Sequence, residues 1–113
     1  RQAVAGRPAQ LANVLVSGPL KLERETQRAW LAGREVPLSN KAFGVLAHLM
    51  SRPNVVVSRE QLLDQVWGWD DPAGMRTVDV RIAEIRRKLG DEHEFIETVP
   101  GEGYRFVGSV KTG

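Results

Sequence analysis

The strongest chemical signal in the sequence lies between Arg76 and Gly90, where Arg76, Arg81, Arg86, Arg87 and Lys88 are set against only Asp79 and Glu84. That segment carries +3, while the 11 basic and 12 acidic residues elsewhere leave −1, so the chain's net +2 is concentrated in one place. Charge gathered in this way favours a polyanionic partner. Other chemistries are poorly supplied. With no cysteine there is no thiol nucleophile, no disulfide framework and no thiolate metal site. His48 and His93 have no second histidine or cysteine at ligand spacing, so no metal is expected. The carboxylates are scattered, and no nucleophile–base arrangement stands out. Gly101-Glu102-Gly103 precedes no helix and has no accompanying lysine-threonine or lysine-serine pair, which makes it a hairpin turn rather than a phosphate loop. Neither an enzyme nor a cofactor is expected.

Arginines act together only if an element aligns them. Val78, Ile82, Ile85 and Leu89 recur at i, i+4, i+7 and i+11, which predicts a helix from Arg76 or Thr77 to Leu89 with Gly90 just past its end. At 3.6 residues per turn the opposite face carries Arg76, Val80, Ala83, Glu84 and Arg87, with Thr77, Arg81 and Lys88 on one flank and Arg86 on the other. Such a helix fits the major groove of B-form DNA, where arginine can bond guanine, small apolar groups can touch thymine methyls, and Glu84 could accept from cytosine. The bland alternative is a solvated amphipathic helix in which Glu84 pairs with Lys88, and from this helix alone that alternative is the commoner one.

The rest of the chain supplies a scaffold. Its 113 residues, 42% hydrophobic and 27% charged, suit one globular domain. Residues 1–12 read as a linker from an upstream domain, residues 13–110 as the folded unit and 111–113 as a tail; the start at Arg1 suggests a piece of a longer protein. No stretch resembles a bilayer span or a signal peptide. Val14 to Pro37 reads as four short strands broken by turns. Ser39 caps a helix carrying Phe43, Leu46, Leu49 and Met50, and Val55 to Val57 reads as a short strand. Ser58 and Gln61 form a capping box for a helix burying Leu62, Leu63, Val66 and Trp67. After the basic helix come Ile96 to Val99, a turn at Pro100 to Gly103, and Tyr104 to Val107, a β-hairpin. This is an α+β winged helix-turn-helix: a four-stranded antiparallel sheet, three helices and a hairpin wing.

In this order the chain resembles the effector domain of OmpR/PhoB-type response regulators. The likeness rests on Val36-Pro37-Leu38-Ser39 with Phe43-Gly44-Val45-Leu46, Val57-Ser58-Arg59-Glu60-Gln61-Leu62-Leu63, Val66-Trp67-Gly68, Arg76-Thr77-Val78-Asp79-Val80-Arg81-Ile82, Ile85-Arg86-Arg87-Lys88-Leu89 and Thr98-Val99-Pro100-Gly101-Glu102-Gly103-Tyr104-Arg105-Phe106. It implies a cytoplasmic, sequence-specific double-stranded DNA-binding domain that controls transcription, with its third helix in the major groove and its wing toward the adjacent minor groove. On that basis the expected DNA contacts are Trp67, Arg76, Thr77, Val80, Arg81, Ala83, Glu84, Arg86, Arg87, Lys88, Thr98 and Arg105. The resemblance further implies an RNA polymerase contact through Trp69, Asp70, Asp71, Pro72, Ala73, Gly74 and Met75. It also implies an upstream phosphorylated receiver domain and a homodimer on direct-repeat half-sites, away from any membrane. A winged helix used purely for protein interaction is the competing class; it predicts an acidic or apolar third-helix face. Two positions depart from the family pattern. Pro100 stands where the wing turn usually has arginine, and Ala42 replaces the acid three positions after the first helix cap, which removes half of a capping box.

Overall fold

Alternating short strands at the N-terminal end pair as an antiparallel meander in this computed structural model, which describes residues 12–68, 73–91 and 94–113. The strands are β1 (Val14–Ser17), β2 (Leu20–Glu23), β3 (Arg28–Leu31) and β4 (Arg34–Val36). Their register lines Leu15, Leu22, Ala29 and Val36 in one cross-strand row, all buried, so one face of the sheet is core. The next row, Lys21, Trp30 and Glu35, lies on the outer face. There the Lys21 ammonium sits 5.0 Å from the Trp30 ring centroid. One more strand joins this sheet. Lys111 and Thr112, expected as tail, form β7 (Lys111–Thr112) and pair with Val16 and Leu15, giving the order β4-β3-β2-β1-β7. Two residues without apolar alternation carry no strand signal; the free edge of β1 recruits them through backbone bonds alone.

Helix α1 (Asn40–Ser51) starts at Ser39, whose side chain accepts from the Ala42 N–H. Helix α2 (Arg59–Leu62) opens with the expected Ser58–Gln61 capping box and continues as a π-helical turn through Leu63–Trp67, stopped by Gly68. The wider turn changes the phase of the apolar face, so Leu62 is fully buried while Leu63, Val66 and Trp67 are half-buried against the core. Gly44 lets α2 approach α1, since a Cβ there would lie 2.9 Å from Val66 Cγ1. Of the run Val55 to Val57 only Val57 is buried, and it forms a single bridge to Tyr104 rather than a strand. Helix α3 (Met75–Leu89) begins one residue earlier than its periodicity suggested. The wing is the hairpin β5 (Ile96–Val99) and β6 (Gly103–Phe106). Val78, Ile82, Ile85 and Leu89 of α3 join Leu46, Leu49, Met50, Leu62 and Phe106 in one core, which fixes the side of α3 that is left outside. No helix among the described residues is long and apolar enough to cross a membrane.

Candidate nucleic-acid interface

Burying one stripe of α3 turns Arg76, Val80, Ala83 and Arg87 outward together, all exposed, Val80 at 47%. Among the described residues Arg76, Arg87 and Lys88 have no ion-pair partner. The result is a convex strip with a valine and an alanine between unneutralised guanidinium groups. It combines hydrogen-bond donors, positive charge and small apolar contacts at the spacing of successive helical turns.

Glu84 does not belong to that strip, which corrects the expectation of an outward carboxylate at its centre. The residue is only 9% exposed. Its Oε2 accepts the Ser39 backbone N–H at 2.8 Å, and its Oε1 accepts the Ser39 hydroxyl at 2.8 Å and Arg81 Nη1 at 2.6 Å. The cause is the incomplete capping box of α1. Ala42 cannot return a bond to the Ser39 N–H, and α3 supplies the missing acceptor from across the domain. Glu84 therefore pairs with Arg81 and not with Lys88, and its oxygens are spent on protein donors rather than offered to cytosine. Burial pushes the Glu84 carboxyl up, but the Ser39 backbone donor, the Ser39 hydroxyl and Arg81 together hold it below the usual carboxylate range.

The flanks are also more constrained than expected. Arg81 is half-buried, its Nη1 shared between Glu84 and Ser39 Oγ at 3.1 Å. Thr77 is half-buried, and Lys88, about three turns further along the same flank, is exposed. On the other flank Arg86 Nη2 donates to the Ile96 carbonyl and to Thr98 Oγ1, both at 2.9 Å, with its guanidinium 5.9 Å from the Tyr104 ring centroid. Arg86 and Thr98 thus brace the wing against α3. Arg105 pairs with Glu97 across the hairpin at 2.7 Å. Trp67 is half-buried under Lys41, whose ammonium lies 5.7 Å from its ring centroid and donates to the Val66 carbonyl.

Spacing along the chain did not reveal a junction at Asp79. Its Oδ1 accepts from Arg59 Nε at 2.9 Å and from the Tyr104 hydroxyl at 2.5 Å, so one carboxylate ties α2, α3 and β6 together. Asp79 is 20 positions from Arg59 and 25 from Tyr104, and nothing periodic links them. Burial and the bond to Asp79 push the Tyr104 phenol up. In the loop expected to contact RNA polymerase, Trp69, Asp70, Asp71 and Pro72 lie outside the described residues. Ala73 is half-buried, Gly74 is the N-cap of α3, and Met75 is its exposed first residue.

A meander, three helices with a basic third helix, and a hairpin braced on that helix define the winged-helix DNA-binding domain of OmpR/PhoB-type response regulators. Residues 33–106 match the family model described as "Transcriptional regulatory protein, C terminal", and the chain belongs to that family. The family is one of transcriptional regulators. The chain is 43% identical over 100 residues to the phosphate regulon transcriptional regulatory protein PhoB of Rhizobium meliloti (strain 1021), an alignment that covers 87% of this chain and 44% of that protein. Among solved structures it resembles the DNA-binding domain of CpxR from E. coli, at TM-score 0.74 and 32% identity over 84% of this chain and 96% of that one. It also resembles the Klebsiella pneumoniae RstA DNA-binding domain in complex with the RstA box, at TM-score 0.74 and 31% identity over 83% and 96%. The chain spans less than half the length of the curated relatives it matches.

Proposed function

We propose that this chain recognises specific double-stranded DNA sequences as the effector domain of a response regulator. The observation that carries this reading is the exposed strip Arg76, Val80, Ala83 and Arg87 on one face of α3. Seated in the major groove, the strip offers guanidinium groups to guanine and apolar contacts to thymine methyls. In this reading Lys88, Arg81 and Thr77 on one flank of α3, Arg86 and Thr98 on the other, and Trp67 from α2 contact the phosphates beside the groove. Arg105 and the wing turn face the neighbouring minor groove. The RstA domain was solved on its DNA box, which supports the same use of this fold here. The larger assembly belongs to the same reading: a receiver domain upstream, two copies on direct repeats about 10–10.5 bp apart, RNA polymerase at residues 69–75, and the cytoplasm as the setting.

Selection of duplexes from a random pool, followed by binding measured against salt, tests this. An enriched motif and a log–log salt slope near −5 are expected, from about six neutralised phosphates. No enrichment, or binding insensitive to salt, refutes it. A domain that binds proteins and not DNA would enrich nothing.

A further inference from the structure

We infer that Glu84 is a positioning residue for DNA binding: anchored on Ser39, it holds the Arg81 guanidinium as a fixed donor fork for a backbone phosphate at the edge of the α3 strip. This rests on the DNA-binding reading above.

Three observations carry it. The carboxylate is buried and doubly tied to Ser39, at 2.8 Å from both the N–H and the hydroxyl, so it is an immobile anchor. Arg81 is attached to that anchor through Nη1 alone, at 2.6 Å, and the arginine side chain remains 30% exposed. Its Nε and Nη2 make no hydrogen bond to a described residue, and these two nitrogens form one edge of the guanidinium plane. Two parallel N–H groups on one edge match two oxygens of a phosphate. Fixing the opposite side of the plane removes rotamer freedom that a free arginine surrenders on binding. Thr77, Arg81 and Lys88 follow one another along the same flank of α3, as the phosphates of one strand run beside a helix in the major groove. Arg76, Arg87 and Lys88 have no comparable anchor among the described residues and serve as mobile charge.

Charge alone predicts the opposite sign. Removing a carboxylate from a surface near DNA tightens binding if repulsion is all that it contributes. Anchoring predicts that Glu84→Gln weakens binding to the enriched duplex by about tenfold, comparable to the rotamer freedom that an arginine loses on ordering. It further predicts that Glu84→Gln has no additional effect in a chain that already carries Arg81→Gln. Arg81→Lys keeps the charge and a partner for Glu84 but loses the fork; it should weaken binding by a similar factor while leaving the salt slope unchanged. That second variant decides the matter if Glu84→Gln fails to fold. Tighter or unchanged binding by Glu84→Gln overturns the inference. So does an equal loss from Glu84→Gln with and without Arg81→Gln, which would mean that Glu84 acts through α1 and not through Arg81. Arg81→Lys binding like the unaltered chain overturns it as well. Failure of the unaltered chain to enrich any duplex overturns the DNA-binding reading, and this inference with it.

Discussion

Replacing Gly103 by alanine should detach the wing. Gly103 has φ of +147°, and a Cβ built on it would overlap the Val57 carbonyl oxygen and sit 2.8 Å from the Val57 carbonyl carbon and 2.9 Å from Ser58 Cα. All three are backbone atoms, so no side chain can swing away. The overlap falls on the bridge that holds the hairpin to the segment before α2. There the Val57 N–H donates to the Tyr104 carbonyl at 2.8 Å, and the Tyr104 N–H donates to the Val57 carbonyl at 3.0 Å. Both residues are buried, so breaking the bridge strands polar groups at about 1–3 kcal/mol for each lost bond. The backbone conformation itself costs an alanine about 1–3 kcal/mol. Together the loss is roughly 3–9 kcal/mol, a large share of the 5–15 kcal/mol typical of a domain. Gly101 is the internal control. It lies two residues earlier, in the turn that leads into β6, at φ +76°, and a Cβ there meets nothing within 4 Å, so Gly101→Ala should cost only about 1–2 kcal/mol. Urea unfolding followed by circular dichroism measures both variants. If they fall within about 1 kcal/mol of each other, the bridge is not what holds the wing, and the estimate built on it is wrong.

Two further outcomes follow from the electrostatics. The folded-state pKa of Glu84 lies below the ordinary value of 4.5 that it regains on unfolding, so its ionised form stabilises the fold above that pH and the contribution is lost as pH falls through the folded value. The stability advantage of the unaltered chain over Glu84→Gln should therefore shrink as pH falls from about 5 toward about 3; a difference independent of pH refutes the assignment. Pro100 is exposed at the wing turn, and Pro100→Arg should tighten DNA binding by about fivefold, most on duplexes flanked by A-tracts with narrow minor grooves. Equal affinity for A-tract and G·C flanks in both proteins would show that the wing tip stays away from the groove.

Where a pattern is local, the sequence was readable. The strand rows of β1 to β4, the Ser58 capping box and the buried stripe of α3 each depend on residues within four positions of one another or on simple alternation, and each stands where its pattern put it. The misses share a different cause. Strand β7 depends on an unpaired edge made by residues about a hundred positions earlier. The π-helical turn in α2 shifts a face whose periodicity looked ordinary, because Gly44 of α1 admits Val66 at close range. Val55 to Val57 looks like a strand by composition, yet only one backbone pair finds a partner.

The basic helix shows why charge counted along the chain overstates a binding surface. Its five cations read as one patch, but Arg81 and Arg86 are committed to the protein, one to Glu84 and Ser39, the other to the wing backbone and Thr98. Arg76, Arg87 and Lys88 are left as charge unopposed by a described residue. The acid missing after the α1 cap and the acid unexplained on α3 are one feature seen from both ends. Ser39 lacks an acceptor at position 42, and Glu84 supplies it from 45 residues away. The helical wheel puts Glu84 on the outward face with Arg76, Val80, Ala83 and Arg87, and the wheel alone cannot tell which way a long side chain there will turn. The deciding difference is the number of donors: toward Ser39 the carboxylate accepts the Ser39 N–H, the Ser39 hydroxyl and Arg81 Nη1, against a single solvated i,i+4 pair worth about 0.2–0.5 kcal/mol. Three bonds outweigh that one pair, so Glu84 turns toward Ser39, and the same choice that caps α1 sets the orientation of Arg81.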